Sequence, residues 1–155
     1  MLNFPLFKKY LYSRVTNYYN DELKIFLVQC LRQIPYLKDM SEQILTHIAF
    51  RMRCDYKEPG TILFNMDQDF NEMILNEMII VYDGVVNAYV TIDGKTKLIM
   101  DYLSKGTIFR ANHFLSGRRH AFNVGVENNM VYYLLKSETL KELGGQYPEL
   151  RNSCR

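Results

Sequence analysis

The side chains able to do chemistry are few and scattered. His47, His113 and His120 are the only histidines, and none stands at a motif spacing from a serine or cysteine nucleophile, so general-base activation of a nucleophile has no support here. Cys30, Cys54 and Cys154 are odd in number, widely spaced and unmatched by a second Cys or His at metal-ligand spacing. Reduced thiols fit that pattern; disulfides and zinc do not. Gly117-Arg118-Arg119-His120 is a basic tip, but so few charges bind an acidic lipid surface weakly, and a solvated loop is the simpler reading. Met66, Met73 and Met78 accompany Ile74, Ile79 and Ile80, a pattern of core filling rather than of a soft docking surface. No enzyme, metal or cofactor is expected.

With 155 residues, 48% of them hydrophobic and 14% aromatic, the chain can fill one core and carry a helical appendage. Nineteen basic against seventeen acidic residues leave a net charge of +2, which supplies no phosphate-tracking surface and argues against nucleic acid as a partner. The start, Met-Leu-Asn-Phe-Pro followed by Lys8 and Lys9, lacks the apolar stretch and cleavage site of a signal peptide, and no apolar run approaches ~18 residues. The piece is expected to stay out of the bilayer, although it could belong to a membrane protein.

These residues are positioned by two kinds of element. From Phe4 to Phe50 the spacing is helical and predicts three short helices. Leu11, Val15, Tyr18 and Tyr19 share one face, as do Ile25, Val28, Leu31 and the aliphatic stem of Arg32. Pro35 ends the second helix, and Asp39 with Glu42 forms an acidic capping box opening the third, which turns Ile44, Leu45, Ile48 and Ala49 inward. After Pro59-Gly60 the texture changes to β-branched and aromatic runs: Thr61 to Phe64, Met73 to Tyr82, Val85 to Ile92, Lys97 to Tyr102, and Phe122 to Leu135. Asp83-Gly84 and Asp93-Gly94 separate such runs, and the second predicts a two-residue hairpin because both residues tolerate positive φ. A last helix, Ser137 to Leu143, is expected to be capped by Ser137 and stopped by Gly144-Gly145. The fold class is α+β: an antiparallel β-roll, a jelly-roll-like double-stranded β-helix, flanked by N-terminal helices and a short C-terminal helix.

The punctuation falls in a familiar order. Ile34-Pro35-Tyr36-Leu37, Glu58-Pro59-Gly60-Thr61-Ile62, Tyr82-Asp83-Gly84-Val85-Val86, Leu103-Ser104-Lys105-Gly106-Thr107-Ile108-Phe109 and Tyr147-Pro148-Glu149-Leu150 together resemble the cyclic-nucleotide-binding domain family, over about Gln33 to Arg151. Upstream, Phe4-Pro5, Arg14-Val15 and Tyr18-Tyr19 resemble part of the linker that joins such domains to the pores of hyperpolarisation-activated, cyclic-nucleotide-gated and ether-à-go-go channels. Sperm-type sodium/proton exchangers are the alternative parent. The resemblance divides the chain into a helical linker segment, residues 1–33, and a cyclic-nucleotide-binding-type domain, residues 34–155.

In that family a Phe-Gly-Glu segment and a later arginine hold the cyclic phosphate and the ribose 2′-hydroxyl. Laid on the pattern from Phe109 to Val124, this chain places Arg110 at the glycine, Ala111 at the glutamate, with Asn112 following, and His120 at the arginine, followed by Ala121. Arg119 could serve the phosphate instead if a bulge shifts the strand by one residue. His120, protonated near its reference pKa of ~6.5, could restore a cation, or it is a turn histidine without function. Arg110, or a residue of the C-terminal tail, could itself occupy the pocket. Losing two charged hydrogen bonds of about 1.5–3 kcal/mol each weakens binding on the order of 10² to 10⁴ fold. The family's lid helix begins after Tyr147-Pro148, and Glu149 to Arg155 remain for it, so the pocket is expected to be open there.

The resemblance therefore implies a regulatory module at the cytoplasmic face of the plasma membrane. Its partners would be the membrane portion of a channel or transporter and cAMP or cGMP bound weakly or not at all. The alternative is a scaffold that forms homo-oligomers, with a vestigial pocket and a Tyr-rich lead-in, Tyr10 to Tyr19, against neighbouring subunits. A kinase-type regulatory subunit fits less well, because those commonly carry tandem copies and keep the glutamate.

Overall fold

The computed structural model describes residues 21–66 and 75–154. The lead-in motifs Phe4-Pro5, Arg14-Val15 and Tyr10 to Tyr19 lie outside them, as do Met73 and Ile74 of the second expected strand. Among the described residues, two helices, α1 (Asp21–Arg32) and α2 (Glu42–Arg51), precede eight strands: β1 (Arg53–Lys57), β2 (Ile62–Phe64), β3 (Glu77–Asp83), β4 (Val86–Ile92), β5 (Lys95–Leu103), β6 (Ile108–Phe109), β7 (Asn123–Val126) and β8 (Met130–Lys136). Helices α3 (Ser137–Gln146) and α4 (Pro148–Ser153) follow. The strands form two antiparallel four-stranded sheets, ordered β1-β8-β3-β6 and β2-β7-β4-β5. This is the expected α+β roll with flanking helices.

In the first sheet β3 and β8 are buried on both faces, and their sequence says why. In β3 and β8, Met78, Ile80, Tyr133 and Leu135 join the helices in one core, while Ile79, Val81, Tyr132 and Leu134 fill the roll in another. Strand alternation sends neighbours to opposite faces, so a sheet covered on both sides reads as an unbroken apolar run. That run hid the break between β7 and β8, where Asn128 and Asn129 make the turn: Asn128 Oδ1 accepts from Val85 N at 2.6 Å and Asn129 Oδ1 from the Tyr56 hydroxyl at 2.6 Å. Also missed were β1, whose charged Arg53, Asp55 and Lys57 mask its pairing with β8, and the two-residue β6.

The helices differ from expectation at their ends. α1 buries Leu23, Leu27, Val28, Cys30 and Leu31, whereas Ile25 is exposed and Arg32 turns outward to donate to the carbonyls of Lys38 and Met40 at 3.0 and 3.1 Å. α2 turns Ile44, Leu45, Ile48 and Ala49 inward as expected, but its cap is Ser41, whose hydroxyl accepts from Ile44 N at 3.3 Å, not Asp39. Ser137 is buried without capping α3; its N–H donates to Asn76 O at 2.8 Å. α3 runs through Gly144-Gly145 instead of stopping there, because Gly144 makes room for α4: a Cβ on it would lie 3.3 Å from that of Arg151. The Asp93-Gly94 hairpin forms as read, with φ of 52° and 75° and Ile92 paired to Lys95. No helix among the described residues is long and apolar enough to cross a membrane.

Candidate functional site

Strand β6 ends at Phe109, and the chain swings into a helical turn opened by the Arg110 carbonyl, which accepts from His113 N at 3.1 Å and Phe114 N at 3.0 Å. Phe114 is buried in the helix-side core and anchors the turn. The chain then returns through Arg118-Arg119-His120 to β7. Between outgoing and returning segments lies a cavity of about 220 Å3, bordered by Phe109, Arg110, Ala111, Asn112, His120 and Ala121 together with Phe64, Ile108, His113 and Phe122. Arg119 is exposed and outside that lining. Residues 118–120 precede β7 and are not in a strand, so no bulge there turns Arg119 inward.

Arg110 sits at φ 70°, a left-handed conformation that is comfortable for glycine and costs other residues roughly 1–2 kcal/mol. Arg110 borders the cavity, and its guanidinium is held by three polar contacts. Nη2 donates to Leu75 O at 2.6 Å and to Arg118 O at 2.7 Å, and Nη1 lies 3.1 Å from His120 Nδ1. Nε is buried and has no hydrogen-bond partner. Burial lowers the pKa of Arg110, yet a guanidinium remains charged, so the cavity holds a cation fastened to carbonyl groups.

His120 is neither a cation nor a solvated turn residue. It is 8% exposed and stacks on Phe64, ring centres 4.7 Å apart at 28°. Burial first, then the charges of Arg110 and Arg119, pull its pKa down to about 4. The guanidinium can only donate, so Nδ1 accepts and the ring proton sits on Nε2. Phe64 and His120 also border a second cavity of about 250 Å3, with Asp55, Glu77 and Tyr132 on its wall. Phe109 packs edgewise on Phe64 at 6.0 Å and on Phe122 at 6.3 Å.

A link to the helices leaves from the same turn. The Tyr36 hydroxyl donates to Ala111 O at 2.6 Å, and the Ser153 hydroxyl donates to the Tyr36 carbonyl. α4 buries Leu150 among the helices, and its junction residue Tyr147 meets His47 Nδ1 at 3.1 Å. No described residue of α4 borders the cavity. Tyr36 belongs to the Ile34-Pro35-Tyr36-Leu37 motif and Phe64 to an expected strand, and neither position by itself signals a site residue. The carbonyls of Leu75 and Arg118 carry no side-chain signal at all. Burial pushes the thiols of Cys30, Cys54 and Cys154 up to about 11.

Comparison with solved structures places this architecture. The regulatory domain of Toxoplasma gondii PKA with cAMP aligns with a TM-score of 0.66 and 21% identity over 80% of this chain and 45% of that one. A cyclic nucleotide-binding domain from Methylobacillus flagellatus aligns with a TM-score of 0.68 and 16% identity over 86% of this chain and 72% of that one. The regulatory subunit of a cAMP-independent protein kinase A from Trypanosoma brucei aligns with a TM-score of 0.56 and 19% identity over 83% of this chain and 49% of that one. The chain thus spans about half the length of these kinase subunits. No family model and no curated protein matches it. The chain has the fold of cyclic-nucleotide-binding domains.

Proposed function

We propose that this chain is a regulatory, non-catalytic module in which the Arg110 side chain takes up space that a cyclic nucleotide would need, so that cAMP or cGMP binds weakly or not at all. The observation that carries this reading is the Arg110 guanidinium, half-buried at the cavity wall and fastened to Leu75 O, Arg118 O and His120 Nδ1. A cyclic phosphate entering that space would have to displace a side chain held by three polar contacts. With His120 neutral and Ala111 carrying no polar group, neither would repay the exchange. The Trypanosoma brucei neighbour is a subunit of a kinase that is cAMP-independent, and a triple mutant of it is bound to cAMP; this supports a nucleotide-free mode of use for the fold. On the sequence resemblance, the module's parent is a channel or transporter at the cytoplasmic face of the plasma membrane, regulated through the helical segment before Ile34.

Titration calorimetry with cAMP and cGMP tests the reading. The natural chain is expected to give no saturable heat below millimolar nucleotide. The triple substitution Arg110→Gly, Ala111→Glu and His120→Arg is expected to gain affinity by on the order of 10² fold or more. Micromolar binding by the natural chain overturns the proposal.

A further inference from the structure

Strand β5 is an edge strand of its sheet and stands clear of the roll on both faces. Its apolar residues are open to solvent: Leu98 is 52% exposed, Ile99 49%, Met100 55% and Tyr102 72%, beside Ile92 at 58%. An edge of this length and composition invites pairing with another strand. The order of residues says which strand. Lys97-Leu98-Ile99-Met100-Asp101 runs from base through three apolar residues to acid, so the segment complements its own reverse. Neither Lys97 nor Asp101 is in an ion pair among the described residues. Ile99, at the centre, has no partner on β4, where Leu98 faces Tyr89 and Met100 faces Ala88.

We infer that two copies of this chain associate through β5, antiparallel about a two-fold axis at Ile99. In that register each Lys97 faces Asp101 of the partner, each Leu98 faces Met100, and Ile99 faces its own copy. An isologous contact repeats every pair twice, so the apolar pairs supply the attraction and the two ion pairs select the register. This surface is separate from the cavity at Arg110 and does not depend on what that cavity binds.

Sedimentation velocity from micromolar to millimolar protein tests the inference. The natural chain is expected to shift from monomer to dimer. Lys97→Glu, which sets like charges against each other at both ends, weakens the dimer by about tenfold or more. Adding Asp101→Lys restores it, and Ile99→Lys abolishes it by setting two charges together on the axis. Because every substituted side chain is exposed, the helical and strand circular dichroism is expected to stay unchanged. A monomer at every concentration overturns the inference, as does a dimer indifferent to Lys97→Glu, or one that the double substitution fails to restore.

Discussion

Arg110 and His120 hold each other in states that neither residue type adopts in water. The arginine accepts a left-handed backbone and burial of Nε, offset by hydrogen bonds from a charged donor, each worth about 1.5–3 kcal/mol. The histidine gives up its proton so that Nδ1 can accept. Its pKa of about 4 in the fold, against an ordinary 6.5, means that the unfolded chain takes up the proton first as pH falls. The stability this contributes is complete above about pH 6.5 and is lost between there and pH 4, at up to about 1.4 kcal/mol per pH unit. Protonating Nδ1 also abolishes its ability to accept from Arg110. Urea unfolding of the natural chain and of His120→Phe across this window is expected to show the natural chain losing stability more steeply toward acid. Parallel curves would show that His120 binds its proton equally well in the folded and unfolded chain. Both residues were legible as departures from a pattern, but their contact was not, because ten positions separate them in the chain.

Among the elements, the turn between β3 and β4 shows how a glycine is set by its neighbours. Gly60 and Gly84 both take positive φ, 85° and 98°, but only Gly84 faces backbone: a Cβ there would lie 2.1 Å from Asn129 O, while at Gly60 nothing stands within 4 Å. Gly60→Ala is expected to cost about 1 kcal/mol of backbone strain. Gly84→Ala must also move the β7–β8 turn, and is expected to cost at least about 2 kcal/mol more. Denaturation midpoints of the two variants check this; equal losses would mean that the turn yields freely. That Gly84 belongs to a turn could be read from Asp83-Gly84, but its neighbour Asn129 could not, since register between distant strands brings them together.

Across the whole molecule, the cavity turn and helix α4 are both hydrogen-bonded to Tyr36. Tyr36 offers its hydroxyl to Ala111 and its carbonyl to Ser153, so the hydrogen bonds of one residue tie the cavity turn to α4, beside the core that Phe114 and Leu150 share. Burial holds the Tyr36 hydroxyl well above the usual tyrosine pKa range, so it remains a donor at any working pH. Tyr36→Phe leaves the Ala111 carbonyl without that donor and is expected to cost about 1–2 kcal/mol in urea unfolding. No loss would mean that water replaces the hydroxyl.

The order of elements, the hairpin at Asp93-Gly94 and the roll itself were readable from residue types, because positive φ and apolar alternation are local demands that particular side chains meet. That an arginine stands at position 110, where the resemblance leads one to expect glycine, was equally readable. Where that arginine points, which carbonyls hold it, that His120 is buried and neutral, and that Gly144 serves a helix contact rather than a stop, were settled only by packing. Each depends on groups brought together from distant parts of the chain, and on backbone atoms that every residue type shares.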